Sequence, residues 1–332
     1  MQYRPLSSRS PLSVSRLCLG AMMFGDQTDE AEAARIVGHA REHGVNFIDT
    51  ADVYSFGESE RMVGRLIAST RDHWVLATKL GNRMAELPNH GGTSRRWVLR
   101  ECEASLQRLG TDHVDVLYLH RDFNGSDLEE PLRAIDQLLR EGKIRYWALS
   151  NFRGWRIAQA VYLARELNMP GPVACQPYYN LLNRQPENEI LEACHSLGLG
   201  VVPYSPVARG VLTGKYRPGV QPAADTRAGR ADRRMMQTEF RAESLAIAQQ
   251  LEAYCAGRGM RISHFAVAWV LANRAVSSVI AGPRTLEQWQ DYFAALDIVV
   301  TPEDEATVDA LVKPGHPSTP GYNDPAYPLD GR

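Results

Sequence analysis

No stretch of this chain approaches the roughly 18 uninterrupted apolar residues that a membrane-spanning helix needs. The first twenty residues, MQYRPLSSRSPLSVSRLCLG, also lack an apolar core of signal-peptide length. A soluble, cytoplasmic protein is the expectation. Cysteine is sparse: Cys18, Cys102, Cys175, Cys194 and Cys255 are odd in number and show no C-x-x-C pairing. That argues against a disulfide framework or a zinc ribbon and predicts core thiols in a reducing compartment. Neither sign of charge dominates. With 37 basic and 39 acidic residues the formal charge is -2, so no broad basic field awaits a nucleic-acid backbone or an anionic membrane, and a small molecule is the expected partner. The G-x-G-x-x-G fingerprint is missing too, which leaves no Rossmann turn to hold a dinucleotide.

What the chain does have is a regular alternation of short apolar runs and longer segments of helical period. The 332 residues, 44% of them hydrophobic, are enough to bury a large core. Eight runs read as strands: residues 15–20, 45–51, 74–80, 114–120, 144–151, 173–180, 200–206 and 277–283. Helical patterns fill 29–44, 95–109, 127–141, 154–167, 186–197, 241–257 and 285–296; in the first of these Ile36, Val37 and Ala40 share a face and Gly44 is a stop. Eight strands alternating with helices, without a break in composition, predict a single (β/α)8 barrel over residues 1–332. Two segments depart from the pattern. A Gly/Pro/Arg-rich connection covers 207–240, and connections of that length are functional or disordered. The Pro/Gly-rich tail, 314–332, is expected to be irregular, folded across the barrel mouth or mobile.

Barrel chemistry sits at the C-terminal ends of strands. Three neighbouring runs end in polar residues: Asp49, Lys79 and His120, with Tyr54 in the loop after the first of them. Each has a plain reading by itself, as a helix cap, a snorkelling lysine, a core histidine and a packing aromatic. Together they suggest acid chemistry. A phenol with a pKa of about 10 is a poor proton donor near neutral pH. An ammonium about 4 Å away, at an effective dielectric near 20, stabilises its phenolate by about 4 kcal/mol. Lys79 is placed to be that cation, Asp49 to keep it charged, and His120 to hydrogen-bond a substrate oxygen or relay its proton. The oxygen served would be one that gains negative charge, and a carbonyl receiving hydride is the obvious candidate.

The motifs D-T-A-x-x-Y with G-E-S-E (49–60), TKLG (78–81), LYLHR (117–121), LSNF (149–152), QPYYNLLNR (176–184), PYSPVARGVLTGKY (203–216) and IAGPRTLEQ (280–288) occur in this order. With them the chain resembles the aldo-keto reductase superfamily from the first barrel strand to the last helix. The resemblance implies a (β/α)8 barrel that binds NADPH without a Rossmann fold and reduces aldehydes or ketones. It implies that Asp49, Tyr54, Lys79 and His120 form a catalytic tetrad with Tyr54 as general acid. For the cofactor it implies Ser150, Asn151 and Gln176 on the nicotinamide carboxamide, Tyr204 stacked on the ring, and Gly20, Ala21 and Met22 near that end. Asp49 would border the nicotinamide as well. Ser205, Pro206, Val207, Ala208, Arg209 and Lys215 would line the pyrophosphate, and Gly282, Arg284 and Gln288 the adenosine 2'-phosphate. Many relatives end this last motif with Glu-Asn where this chain has Asp291 and Tyr292; Asp291 is the expected replacement acid. Ser55 and Phe56 also stand where glycine is common after the tyrosine, which predicts a differently shaped substrate loop.

Other signals are set aside. His39, Glu42 and His43 fit H-x-x-E-H, but on an outer helix with no third ligand they read as a solvated face. The HRD at 120–122 lacks a phosphate loop and a correctly spaced asparagine. Arg227, Arg230, Arg233 and Arg234 read as a solvated loop. Two other functions compete with carbonyl reduction: an NADPH-binding regulatory subunit with little turnover, which some members of the family are, and a Schiff-base aldolase using Lys79. Substrate choice would fall to loop and tail residues such as Phe24, Phe56, Trp97, Phe123, Tyr322 and Tyr327.

Overall fold

The chain opens with a hairpin that its sequence conceals. In the computed structural model, which describes residues 1–123 and 126–328, β1 (Tyr3–Ser7) pairs antiparallel with β2 (Ser10–Ser15) across a two-residue turn. Pro5 and Pro11 make this segment look like a loop, because proline gives the ladder no N–H; an isolated two-stranded ribbon, all edge, tolerates them. Leu6 is fully buried, and its carbonyl accepts from Ser277 Oγ at 2.8 Å. A Cβ on Gly200 would lie 1.6 Å from the same Leu6 oxygen, so only glycine lets the hairpin close over the N-terminal ends of the strands that follow.

Those strands are eight and parallel: β3 (Leu17–Gly20), β4 (Phe47–Asp49), β5 (Val75–Leu80), β6 (Val114–Leu119), β7 (Ile144–Ser150), β8 (Ala174–Gln176), β9 (Gly200–Val201) and β10 (Val279–Ala281). Their order is β10-β3-β4-β5-β6-β7-β8-β9. The two ends of the sheet meet through Ser277 N donating to Val201 O at 2.9 Å and Ile280 N to Pro203 O at 3.0 Å, so the sheet closes as a barrel. Each expected run supplies one strand. β8 and β9 are shorter than their runs because Pro177 and Pro203 follow closely and donate no N–H to a neighbour.

The described residues group into two units. The first comprises Met1–Pro177, Glu189–Pro203 and Ala275–Trp289, and contains every barrel strand. Its helices follow the expected pattern. Glu30–Glu42 starts at Asp29, whose carboxylate caps Glu32 N, and buries Ala33, Ile36, Val37 and Ala40. Arg95–Leu109, Glu129–Arg140, Gly154–Glu166 and Ile190–Leu197 succeed it. One helix, Glu58–Ile67, has no counterpart in the sequence reading. Its buried face includes Ser59 and Glu60 beside Met62, Val63, Gly64 and Ile67, and the two polar residues shorten its apolar stretch to the last six positions.

The second unit comprises Tyr178–Asn188, Tyr204–Arg274 and the described residues from Gln290 on. The long connection contains a 3-10 turn, Ala208–Thr213, and a short helix, Arg233–Thr238; Ala242–Gly257, Ile262–Ala272 and Pro302–Leu311 supply the longer helices. Three of the four clustered arginines are tied internally, while Arg233 is exposed: Arg227 lies 3.6 Å from Asp232, Arg230 donates to the Asp225 carbonyl, and Arg234 makes a fork to Asp324 at 2.9 and 2.5 Å. Through that fork the tail is held within this unit, where Tyr322 also lies 3.7 Å from the Arg241 guanidinium and Ser318 N donates to Leu182 O.

Candidate active site

Parallel register sets the first distances. Asp49, the last residue of β4, pairs with Ala77 of β5, so Lys79 lies one pleat beyond it on the same face. His120 directly follows β6, and its N–H donates to Leu80 O at 2.8 Å. Tyr54 returns over this end from the loop after β4. Lys79, which has no exposed surface, spends all three ammonium donors here: on Asp49 Oδ1 in a close ion pair, on Thr50 O at 2.8 Å, and on the Tyr54 hydroxyl oxygen at 3.1 Å. An amine without its third proton could not donate all three bonds. Burial works to lower the Lys79 pKa, but Asp49 and the Tyr54 phenol more than reverse it, and the ammonium is held above its ordinary range. Burial leaves the Asp49 carboxyl above its usual value, although Lys79 and Gln176 pull it back.

The His120 ring stands edge-on to the Tyr54 ring, centroids 5.9 Å apart. Burial, reinforced by Lys79 and Arg121, keeps its pKa well below the ordinary imidazole value, so it is neutral at neutral pH. Its Nδ1 is buried with no hydrogen-bond partner among the described residues. From Asp49 the bonds run on: Gln176 Nε2 donates to Asp49 Oδ2 at 3.0 Å, Ser150 Oγ to Gln176 O at 3.0 Å, and Asn151 Nδ2 to His120 O at 2.9 Å. The structure thus brings Asp49, Tyr54, Lys79, His120, Ser150, Asn151 and Gln176 into one network. Gly20 pairs with Asp49 in register, Ala21 N donates to Asp49 O at 2.8 Å, and Met22 beside them is half-buried.

Behind this network lies a layer that sequence reasoning missed. Glu60, fully buried, accepts from Thr78 Oγ1 and Arg108 Nε, at 2.5 and 2.6 Å; Arg108 also reaches Glu101 at 2.5 Å. Ser59 Oγ donates to Ala21 O at 2.7 Å and lies 2.8 Å from Thr50 Oγ1. The helix after Tyr54 is therefore fastened to the residues that precede Lys79 and follow Asp49. Between these anchors Ser55, Phe56 and Gly57 all have positive φ, at 48°, 50° and 88°, and Phe56 is 72% exposed. The sequence signal for this layer is a glutamate in helical step with Val63, Gly64 and Ile67.

The remaining expected residues fall in both units. In the first, Gly282 follows β10, and Arg284 is half-buried with its N–H donating to Gln288 Oε1 at 2.9 Å and its carbonyl accepting from Thr28 Oγ1 at 2.9 Å. In the second, Tyr204 stacks on Tyr178 with centroids 5.7 Å apart, and burial pushes its phenol well above the ordinary range. Pro206 is buried and Val207 half-buried. Ser205, Ala208 and Arg209 carry positive φ, at 59°, 48° and 50°, and Arg209 is paired with Glu239 at 3.1 Å. Lys215 is exposed, with its ammonium 5.2 Å from the Tyr216 ring. Asp291 accepts from Arg261 and is 2.7 Å from His264 Nε2. Of the loop aromatics, Phe24 and Trp97 are core residues. His39 and His43 stack at 3.8 Å, and no group of three or more metal-ligating side chains occurs among the described residues.

Comparison with known proteins adds the family. The model of the aldo/keto reductase family matches residues 16–313. An uncharacterized oxidoreductase, YrpG, of Bacillus subtilis is 37% identical over 91% of this chain and 93% of its own length. A probable voltage-gated potassium channel subunit beta of Oryza sativa subsp. japonica is 35% identical over 97% of this chain and its whole length. The aldo-keto reductase AMT2 of Alternaria alternata is 32% identical over 92% of this chain and 90% of its own.

Proposed function

This chain belongs to the aldo/keto reductase family of oxidoreductases, and we propose that it reduces an aldehyde or ketone to the alcohol, with NADPH as reductant and Tyr54 as general acid. The observation that carries this reading is the Lys79 ammonium, fully buried and shared between Asp49, Thr50 and the Tyr54 oxygen. When bound, NADPH supplies hydride to the carbonyl carbon. The chain's part is the proton. Because Tyr54 accepts from Lys79, its own O–H is what it has to give, and the phenolate left behind stands 3.1 Å from a cation. At an effective dielectric near 20 that attraction is on the order of 5 kcal/mol before desolvation is counted. Neutral His120 donates a hydrogen bond to the carbonyl oxygen rather than a proton, and so orients it.

The residues present fit the cofactor. Ser150, Asn151 and Gln176 offer amide and hydroxyl groups at adjacent strand ends, suited to a carboxamide. Arg284, fixed beside Gln288 by the Gln288 bond to its backbone, offers a guanidinium for a 2'-phosphate and favours NADPH over NADH. Within the second unit, the turn from Val207 into left-handed Ala208 and Arg209 matches backbone that cradles phosphate oxygens.

One second reading has an observation behind it. The Oryza relative is named a potassium channel subunit beta, and a regulatory subunit that binds NADPH with little turnover is the alternative. The aldolase reading is disfavoured, since a Schiff base needs a neutral amine and Lys79 is held protonated. Purified protein mixed with NADPH and a panel of aldehydes, alongside Tyr54→Phe, separates the readings. Cofactor oxidation lost by about 10² to 10⁴-fold in the variant supports the reductase. Binding of NADPH without turnover on any carbonyl supports the regulatory subunit, and substrate trapped on Lys79 by borohydride supports the aldolase.

A further inference from the structure

Beside the tetrad lies a cavity that the reaction chemistry leaves unused. It has a volume of about 300 Å³ and runs between the loop after β5 and the segment after β6. Gly81, two residues beyond Lys79, and Arg121, the neighbour of His120, both line it. A Cβ on Gly81 would meet Phe123 Cε2 at 3.7 Å and His120 N at 3.8 Å, which places this cavity against the backbone of the tetrad histidine. Gly92 N donates to Gly81 O at 2.8 Å and pins the base of the loop.

The lining has one sign of charge. Arg121 and Arg83 contribute guanidinium groups, Phe123 an aromatic face, and no carboxylate is among the lining side chains. Two acids near in sequence are already engaged: Asp122 forks to Arg156, outside the lining, at 2.9–3.1 Å, and Glu86, bound to the lining residue Arg83, is 91% exposed. The Arg121 guanidinium sits over the Phe123 ring, 5.5 Å from its centroid; the ring face holds the cation, and the guanidinium fork is the part suited to a planar anion. Arg121 also lies near enough to help keep His120 neutral. In a chain with a net charge of -2, a cavity without acids next to the reaction centre is a local feature.

We propose that this cavity is a substrate subsite for an anionic group, and that Arg121 selects carbonyl compounds carrying a carboxylate or phosphate at their far end. The inference rests on the carbonyl-reductase reading for its reacting end. Gly81 follows Lys79 by two residues, about 7 Å at the usual strand rise, which spans a benzene ring or a chain of four to six atoms. The volume suits a group of benzoate size.

The test compares 4-carboxybenzaldehyde with methyl 4-formylbenzoate, an uncharged analogue of similar shape, under NADPH oxidation. The acid is expected to have a kcat/KM about tenfold or more above the ester, through a lower KM that rises with salt, and Arg121→Met should bring the ratio to within about twofold. Arg121→Lys should keep part of it. Glyceraldehyde 3-phosphate against glyceraldehyde distinguishes phosphate from carboxylate as the group selected. If Arg121→Met leaves both anionic-to-neutral ratios at their wild-type values, or the wild type shows no preference for an anion, the subsite is refuted. If wild-type protein binds NADPH but reduces none of the four, the reductase reading fails instead, and calorimetric binding of 4-carboxybenzaldehyde decides the subsite: affinity lost in Arg121→Met supports it, and affinity unchanged or absent in the wild type refutes it.

Discussion

Replacing Asp49 by asparagine keeps the shape of the site and removes one charge, which makes it the most informative single change. The Lys79–Asp49 pair is cut off from water, with 0% and 3% of the two side chains exposed. In the variant Lys79 has no counter-ion and no route to solvent, and its escape is to lose a proton. Taking the ordinary lysine value of 10.5, deprotonation at pH 7 covers 3.5 units, about 5 kcal/mol at about 1.4 kcal/mol per unit. That is the ceiling. The lower end is about 3 kcal/mol, the usual cost of breaking a buried pair, because the new amide oxygen still accepts from Lys79 or Gln176 and because burying the Asp49 carboxylate had a cost of its own. The pH dependence follows with a definite sign. In the wild type the Lys79 value is raised, so its contribution is full below about 10.5 and is lost only as pH rises through the higher folded value. In the variant burial wins and the folded value is depressed; the unfolded chain binds the extra proton, and stability rises with pH. Denaturant unfolding of both proteins at pH 7 and pH 9.5 measures this. The deficit should be about 3–5 kcal/mol at pH 7 and clearly smaller at pH 9.5, with kcat lower by about 10²-fold or more. A deficit below about 1 kcal/mol, or one independent of pH, would show that the pair is not the buried ionic hub described above.

His120 is held neutral, its folded value depressed by burial, Lys79 and Arg121, so wild-type stability should fall as pH drops below 6.5, by up to about 1.4 kcal/mol per unit from this residue; His120→Asn should lack that share of the slope, and identical slopes would contradict it. Glu60→Ala leaves Arg108 with Glu101 but strips Thr78 of its acceptor, and should lower unfolding free energy by about 3 kcal/mol, read from the denaturation midpoint. Ser55→Gly removes a side chain from a residue at φ 48° and should raise stability by about 0.5–1 kcal/mol; a loss would mean that the Ser55 hydroxyl outweighs the strain. Asp324→Asn breaks the fork to Arg234 and should speed limited proteolysis between residues 314 and 328, which an unchanged cleavage pattern would disprove.

The barrel strands were legible because a strand buried on both faces is an apolar run, and eight such runs separated by helical periods leave few other architectures. Helices with a polar outer face were equally legible. Three elements were not. Glu58–Ile67 keeps a helical step in Met62, Val63 and Ile67, but it is short and its first buried residues, Ser59 and Glu60, are polar. Ile262–Ala272 buries nine of its residues and shows no polar stripe to count from. The hairpin carries prolines that only an edge admits. The Thr301–Asp304 capping box with Pro302 at the start of the helix is a signal that was present in the sequence and went unread.

For the site, the sequence by itself determined which side chains stand at the strand ends, since period 2 and parallel register carry Asp49, Lys79 and His120 to the same rim. It also determined, through its ordered motifs, the family. Only the tertiary structure decided their state. Lys79 is protonated because acceptors from positions 49, 50 and 54 converge on it, 25 to 30 residues away in the chain. His120 is neutral because it is buried near two cations. The anchors at Ser59 and Glu60, and the cavity beside Arg121, depend on which side chains desolvate one another. Local pattern records where a residue points, whereas charge state depends on what else has excluded water from around it.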